Sequence, residues 1–413
     1  MQFQRTVRES GPRRTLQSIP TSGAIIQMHR LKAVACIAIA CLLLALGLRP
    51  ILAQSEPPPA ANDVGLDEMI GQMLIVGFRG TSPRQAWPKR IRDQLASGEI
   101  GGVIFLKNNL SSARNAKALT RSFRDAGAKH PPLLTVDQEG GSVQRLAGNV
   151  GLRRRLSERA VAARFTPEQA YDYYRSLARD LKNFGFNVNL GPVVDVNTNP
   201  RNPIIGRLGR AFSRDPETVA KYGAAFVRAH RAEGIITSLK HFPGHGSGRT
   251  DSHIDMVDIS RSWDERELAP FAQLIAENLA DTVMIGHLHV AGLQQGEPAK
   301  LPATFSPALL EGVLRGQLRF EGVIISDDLE MGAIRRYYRP TEALTRAIKA
   351  GNDLLILSNT HRPDPAMPAR AVASLRQAAE HDPELRGRIV KAYNRIIALK
   401  QRHLGPRSRA SAN

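Results

Sequence analysis

The sequence predicts an α/β fold, a TIM-type (β/α)8 barrel in a single catalytic domain, on three observations. Eight short, β-rich apolar runs recur along the chain, a stretch with helical spacing separates one from the next, and the runs are continuously apolar rather than alternating. Eight strands alternating with helices are the number a closed parallel barrel needs. Continuous apolar strands fit a parallel sheet covered on both faces. A doubly wound open sheet is the structural rival, but no G-x-G-x-x-G follows the first run.

In chain order the runs are GQMLIVGF (71–78), GGVIFL (101–106), PPLLTV (131–136), FNVNLGPVVDV (186–196), GIITSLKH (234–241), DTVMIGHLHV (281–290), EGVIISD (321–327) and NDLLILS (352–358). Of the intervening stretches, those opening at Ser111, Thr166 and Asp215 close on Gly127, Gly185 and Gly234, the start and stop residues of helices. The last helix, from Pro383, sets Leu385, Ile389, Ala392, Ile396 and Leu399 on one stripe and is expected to close the outer ring.

The chain has 413 residues, 42% hydrophobic and 23% charged, an ordinary globular composition with enough apolar mass for a large core. Residues 33–48 form an uninterrupted apolar run behind His29, Arg30 and Lys32. It is shorter than the roughly 20 residues of a spanning helix and exits through small residues near Ala53, so residues 1–53 read as an extension with an export signal. An uncleaved membrane anchor is the rival, and through it alone would the protein touch a membrane. Residues 54–63, rich in proline, read as a linker, 64–404 as the barrel and 405–413 as a frayed tail. The expected location is therefore periplasmic or extracellular, or cytoplasmic if the leader is a misassigned start; the 27 residues before Met28 are long for the charged region of a signal, which makes Met28 the alternative start.

Both cysteines, Cys36 and Cys41, lie inside the apolar run, so removing it would exclude disulfides and thiol catalysis. The net charge is +19, and about +13 of it falls after residue 53, spread rather than clustered. This balance favours polyanionic neighbours: nucleic acid, an anionic membrane surface or an acidic cell-wall polymer. No zinc knuckle, RNP-like aromatic motif or basic helix accompanies it, which argues against nucleic acid as a partner.

In such a barrel the chemistry sits at the C-terminal ends of strands. Reading those positions gives Asp137, Asp195, Lys240, His241, His287, Asp327 and Asp328, polar groups from different strands converging on one rim. VIISDD runs an apolar strand into two carboxylates, which burial tolerates only if they are hydrogen-bonded or used; one of them can cap the next helix while the other faces the pocket. KHFPGHGSGRTDSH, Lys240 to His253, cannot continue a helix through its glycines and Pro243, so it is expected to be a long mobile loop over the rim. Asp251 and His253, two apart, can place a carboxylate against an imidazole nitrogen and make His253 a general acid/base. HFPGH has the two-histidine spacing of a zinc-binding helix, yet it lacks the glutamate, and Pro243 and Gly244 prevent the helix, so neither a metal nor another cofactor is expected. DQEGGSVQRL is a glycine-softened loop in which Asp137 could accept hydrogen bonds from substrate hydroxyls with Arg145 in support, while Glu139 reads as solvated.

Together, DQEGGSVQR, KHFPGHGSGRTDSH and GVIISDDLEM, in this order on a barrel, resemble family 3 glycoside hydrolases, specifically the single-domain β-N-acetylhexosaminidases of peptidoglycan turnover. The resemblance extends from about Val64 to Leu404. It implies that Asp327 is the nucleophile that forms a covalent glycosyl-enzyme, that His253 is the acid/base and that Asp251 orients it. It also implies that Asp137, Arg145, Arg210, Lys240 and His241 bind the hydroxyls of N-acetylglucosamine, with β-N-acetylglucosaminides and muropeptides as substrates. Three departures stand out: Ser247 between Gly246 and Gly248 replaces an Asp-Thr pair, Ser142 replaces an arginine, and IIGRLGRAF is longer than usual, setting Arg207 against Arg210 as the binding arginine. β-Glucosidase, β-xylosidase and phosphorylase activities occur in the same family. The first two accompany extra domains that supply the acid, and nothing of that size is expected after Leu404. A catalytically silent barrel that holds cell-wall glycan is the non-enzymatic alternative.

Overall fold

The structure, a computed structural model, describes residues 64–405; the leader, the linker and the C-terminal tail read from the sequence lie outside the described residues. Eight strands close into a barrel: β1 (Leu74–Val76), β2 (Gly102–Phe105), β3 (Leu133–Val136), β4 (Val188–Asn189), β5 (Ile236–Phe242), β6 (Thr282–Ile285), β7 (Val323–Asp328) and β8 (Leu354–Leu357). Each pairs in parallel with its neighbours in sequence, and β8 returns to β1 through Leu355 opposite Leu74. All eight predicted runs thus become strands of one parallel barrel.

Two runs are shorter than their apolar stretch. The fourth stops at Asn189, because Gly191 and Pro192 follow and proline has no N–H for the ladder; contact with β5 resumes only as an isolated bridge between Val193 and Lys240. The sixth stops at Ile285, and Leu288–His289 pairs instead with Val257–Asp258, folding the long loop after β5 back against the rim.

The helices follow their start and stop residues. Ser112, Thr166 and Asp215 each accept a hydrogen bond from a backbone amide three residues on, opening Ala113–Arg124, Pro167–Phe184 and Pro216–Ala232. The final helix, Pro383–Leu404, buries all five residues of its predicted stripe. Among the described residues no helix is long and apolar enough to cross a membrane.

That helix also carries a buried cation at the face of the barrel opposite the strand C-termini. Lys400 Nζ donates to Gln72 Oε1 at 2.7 Å and to the carbonyl of Gly101 at 2.9 Å, just ahead of β1 and β2. Burial pushes its ammonium down from the ordinary 10.5 to about 7. Between those values the unfolded chain binds more protons than the folded one, so this group makes stability rise with pH from about 7 upward. Thermal denaturation from pH 7 to 9 is expected to show a contribution of up to about 1.4 kcal/mol per pH unit that Lys400→Met removes. Equal pH slopes in the two proteins would refute it.

Candidate active site

The end of β3 and the middle of β5 build the first part of the site. Asp137 follows β3 directly, and Lys240 Nζ donates to Asp137 Oδ1 at 2.9 Å and contacts Glu139 Oε1 at 2.7 Å. Glu139 also receives two bonds from Arg210, from Nε at 2.8 Å and Nη2 at 2.9 Å, while Arg210 Nη1 donates to the carbonyl of Ile204 at 2.9 Å. Burial by itself raises the Glu139 carboxyl; Arg210 and Lys240 outweigh it and hold the group at about 2. Asp137 is likewise kept below the ordinary carboxylate range against burial, by Lys240 and Arg145. Arg145 reaches Asp137 at 3.4 Å and stays part-exposed.

Asp195 organises the next segment. Its Oδ1 accepts from the amides of His241 at 3.0 Å and His245 at 2.8 Å, and its Oδ2 lies 2.8 Å from His241 Nδ1. A carboxylate on Nδ1 fixes the proton there and leaves Nε2 of His241 as an acceptor, with Arg210 Nη2 3.5 Å away. His245 is buried with neither ring nitrogen bonded, and burial pushes its imidazole down to about 4, so it stays neutral.

Across the rim, β7 runs on through Ser326 and presents two unlike carboxylates. Asp328 serves the backbone: its Oδ1 accepts from the amides of Glu330 and Ser358, and burial pushes its carboxyl up to about 6. Among the described residues, Asp327 accepts only the amide of Asp328, at 2.8 Å. Burial would raise its carboxyl, but His287, His241 and His253 together with that amide keep it below the ordinary range, hence ionised at neutral pH. His287 sits beside it, between the hydroxyl of Thr304 at 2.7 Å and the carbonyl of Asp328 at 2.9 Å.

The loop after β5 supplies the remaining pair. It begins at Pro243, three residues later than the sequence reading put it, since Lys240, His241 and Phe242 belong to β5. Asp251 Oδ1 accepts from both the amide of His253 at 2.8 Å and its ring Nδ1 at 2.7 Å. The imidazole is 63% exposed, and among the described residues its Nε2 has no partner. Two backbone bonds anchor the pair beside the segment after β7: Gly332 donates to the carbonyl of His253 and Ala333 to that of Ser252. Only glycine fits at 332, because a Cβ there would come within 2.2 Å of the carbonyl oxygen of Ile254.

Asp137, Arg145, Arg210, Lys240 and His241 therefore occupy one connected polar network at the barrel mouth. Asp327 ends β7 near enough to His241, His287 and His253 for their charges to act on it, and Asp251 and His253 lie on the loop after β5. Among the described residues no three His, Cys, Asp or Glu side chains gather as a metal ion would require.

The sequence also matches a family described as the Glycosyl hydrolase family 3 N terminal domain, over residues 65–399. The chain belongs to glycosyl hydrolase family 3. It is 30% identical over 376 residues to beta-hexosaminidase A of Pseudoalteromonas piscicida, covering 83% of this chain and 62% of that protein. With a beta-hexosaminidase of Stenotrophomonas maltophilia it shares 34% identity over 314 residues, 74% of this chain and 89% of the relative. The solved glycoside hydrolase family 3 beta-N-acetylglucosaminidase from Paenibacillus sp. superposes with a TM-score of 0.75 at 33% identity, over 85% of this chain and 65% of that one. The chain thus spans under two thirds of the first and third of these proteins.

Three residues in this family 3 barrel do work that the sequence reading did not assign. Glu139 is not solvated: it is buried at the centre of the network, joining Lys240 to Arg210. Glu158 is buried behind it, accepting the amide of Val193 at 3.0 Å, and burial with the nearby Glu139 raises its carboxyl well above the ordinary range. In sequence it is only an acid in the first turn of a helix, where the dipole welcomes one. Glu267 accepts from the amides of Gly246 and Ser247 and the hydroxyl of Thr198, pinning the turn after Pro243; burial pushes it up to about 7. Its neighbours, Arg266 and Glu265, gave no signal of burial.

Proposed function

We propose that the chain is a retaining β-N-acetylhexosaminidase that releases terminal β-linked N-acetylglucosamine from peptidoglycan-derived or related glycans. The observation that carries this reading is an ionised Asp327, bound among the described residues by a single amide and near enough to the Asp251–His253 pair for the charge of His253 to act on it. Retaining hydrolysis ordinarily uses two carboxyl groups about 5 to 5.5 Å apart; here an imidazole takes the place of the second.

Asp137, Arg145, Lys240, His241 and Arg210 hold the sugar hydroxyls. A carboxylate oxygen of Asp327 attacks the anomeric carbon while the bond to the departing oxygen breaks and His253 gives that oxygen its proton. Neutral His253 then removes a proton from water, whose oxygen attacks the same carbon and displaces Asp327. Two inversions give retention. Asp251 keeps the ring oriented through both steps.

The names of the relatives support the N-acetylated sugar as substrate. The leader read from the sequence supports export, where a basic surface would meet anionic peptidoglycan directly. Hydrolysis of aryl β-N-acetylglucosaminide is expected to exceed that of the matched glucoside by at least about tenfold in kcat/KM. Preference for the glucoside would replace this reading with a β-glucosidase. Sugar release that depends on inorganic phosphate would make the chain a phosphorylase, and binding without turnover of either would make it a glycan-holding barrel.

A further inference from the structure

Two of the segments in which this chain departs from the family pattern, the longer stretch before Arg210 and the SGRT sequence after the PGHG turn, meet at a second cavity. Its volume is about 540 Å³, and Arg201, Arg207 and Arg249 line it with Asn199, Ser247 and Ser262. A volume of that size lies within the range of ligand sites. The two arginines of IIGRLGRAF part ways: Arg210 is buried on Glu139, whereas Arg207 lines this cavity.

The lining has one chemical character. Among the described residues, none of the three guanidiniums makes a salt bridge with a carboxylate. Ser247 is 3% exposed. The walls are built rather than loose. Glu267 holds the amide of Ser247 at 3.1 Å, Asn199 donates to the carbonyl of Gly248 at 2.9 Å, and the amide of Arg207 donates to the carbonyl of Asn202 at 2.9 Å. Three cations and a buried hydroxyl around one space form a receptor for an anion, and the planar fork of arginine matches a carboxylate in particular.

The chain ties this cavity to the acid/base. Ser247 and Arg249 belong to the same loop as Asp251 and His253, with Arg249 two residues before Asp251. In the proposed reaction the leaving group departs on the side from which His253 protonates it, along that loop. We propose that the cavity is a subsite for a carboxylate carried beyond the scissile bond, so that the enzyme selects glycans with an acidic leaving group. This rests on the hexosaminidase reading above.

The test compares a β-N-acetylglucosaminyl-N-acetylmuramic acid disaccharide, its methyl ester, and the same disaccharide extended by a dipeptide whose carboxylate lies further out. The acid form is expected to exceed the ester in kcat/KM through a lower KM. Arg249→Gln and Arg207→Gln should each reduce the acid-to-ester ratio by roughly threefold to fivefold, with added salt acting in the same direction. A larger preference for the dipeptide form would place the recognised carboxylate on the peptide, a preference for the shorter acid on the sugar; both support the subsite. Equal kcat/KM for all three compounds, or a ratio untouched by both substitutions, would overturn it. If the neutral aryl N-acetylglucosaminide is turned over while charge makes no difference, the subsite alone fails; if it is not turned over, the hexosaminidase reading fails and takes the subsite with it.

Discussion

Asp327→Ala is expected to lower kcat on an aryl β-N-acetylglucosaminide by on the order of 10⁴-fold or more, since without the nucleophile no glycosyl-enzyme forms. The fold should be little affected, because among the described residues the Asp327 side chain holds only the amide of its neighbour. Asp328→Ala is the informative contrast. Its carboxylate ties the turn after β7 to Ser358 and Glu330, so its loss should lower the melting temperature as well as activity. Mass spectrometry of the wild-type enzyme quenched during turnover of a slow substrate should find the added sugar on the peptide containing Asp327. Turnover near the wild-type rate in Asp327→Ala, or a label on Asp328, would remove Asp327 from the mechanism.

His253→Ala has the second largest expected effect, roughly 10² to 10⁴-fold on a sugar leaving group that needs protonation. The loss should be smaller for a dinitrophenyl glycoside, whose leaving group departs without a proton. For that substrate the second step becomes limiting, because no base activates water, and added azide should restore turnover by attacking the glycosyl-enzyme directly. A uniform loss across leaving groups, with no azide effect, would assign His253 a structural role. Stability should not change, as the imidazole is mostly exposed and, among the described residues, bonded only to Asp251.

The barrel was legible because each strand declares itself locally. Runs such as LLTV and LLIL are apolar throughout and bounded by turn residues, and the barrel rule then places Asp137, Asp195, Lys240 and Asp327 on one rim without further information. The limits were equally physical. Glu139 meets Arg210 across 71 residues, and Glu267 meets Gly246 across 21, so nothing beside either glutamate in sequence distinguishes it from a solvated acid. The start of the loop was misplaced for the opposite reason. Lys240 and His241 are polar, which locally reads as loop, yet the charges of Asp137, Glu139 and Asp195 let both side chains remain within a buried strand.

Asp251 and His253 make both of their mutual bonds through one carboxylate oxygen and within three consecutive residues. Gly332 and Ala333 anchor the backbone of the turn but take no part in those two bonds. The imidazole thus carries its own alignment device, and a swing of the segment would transport ring and carboxylate together with their mutual geometry unaltered. For protein engineering this makes the proton donor a portable cassette: a three-residue turn to be grafted onto another barrel's rim, where the designer must solve its distance to a nucleophile but not its tautomer.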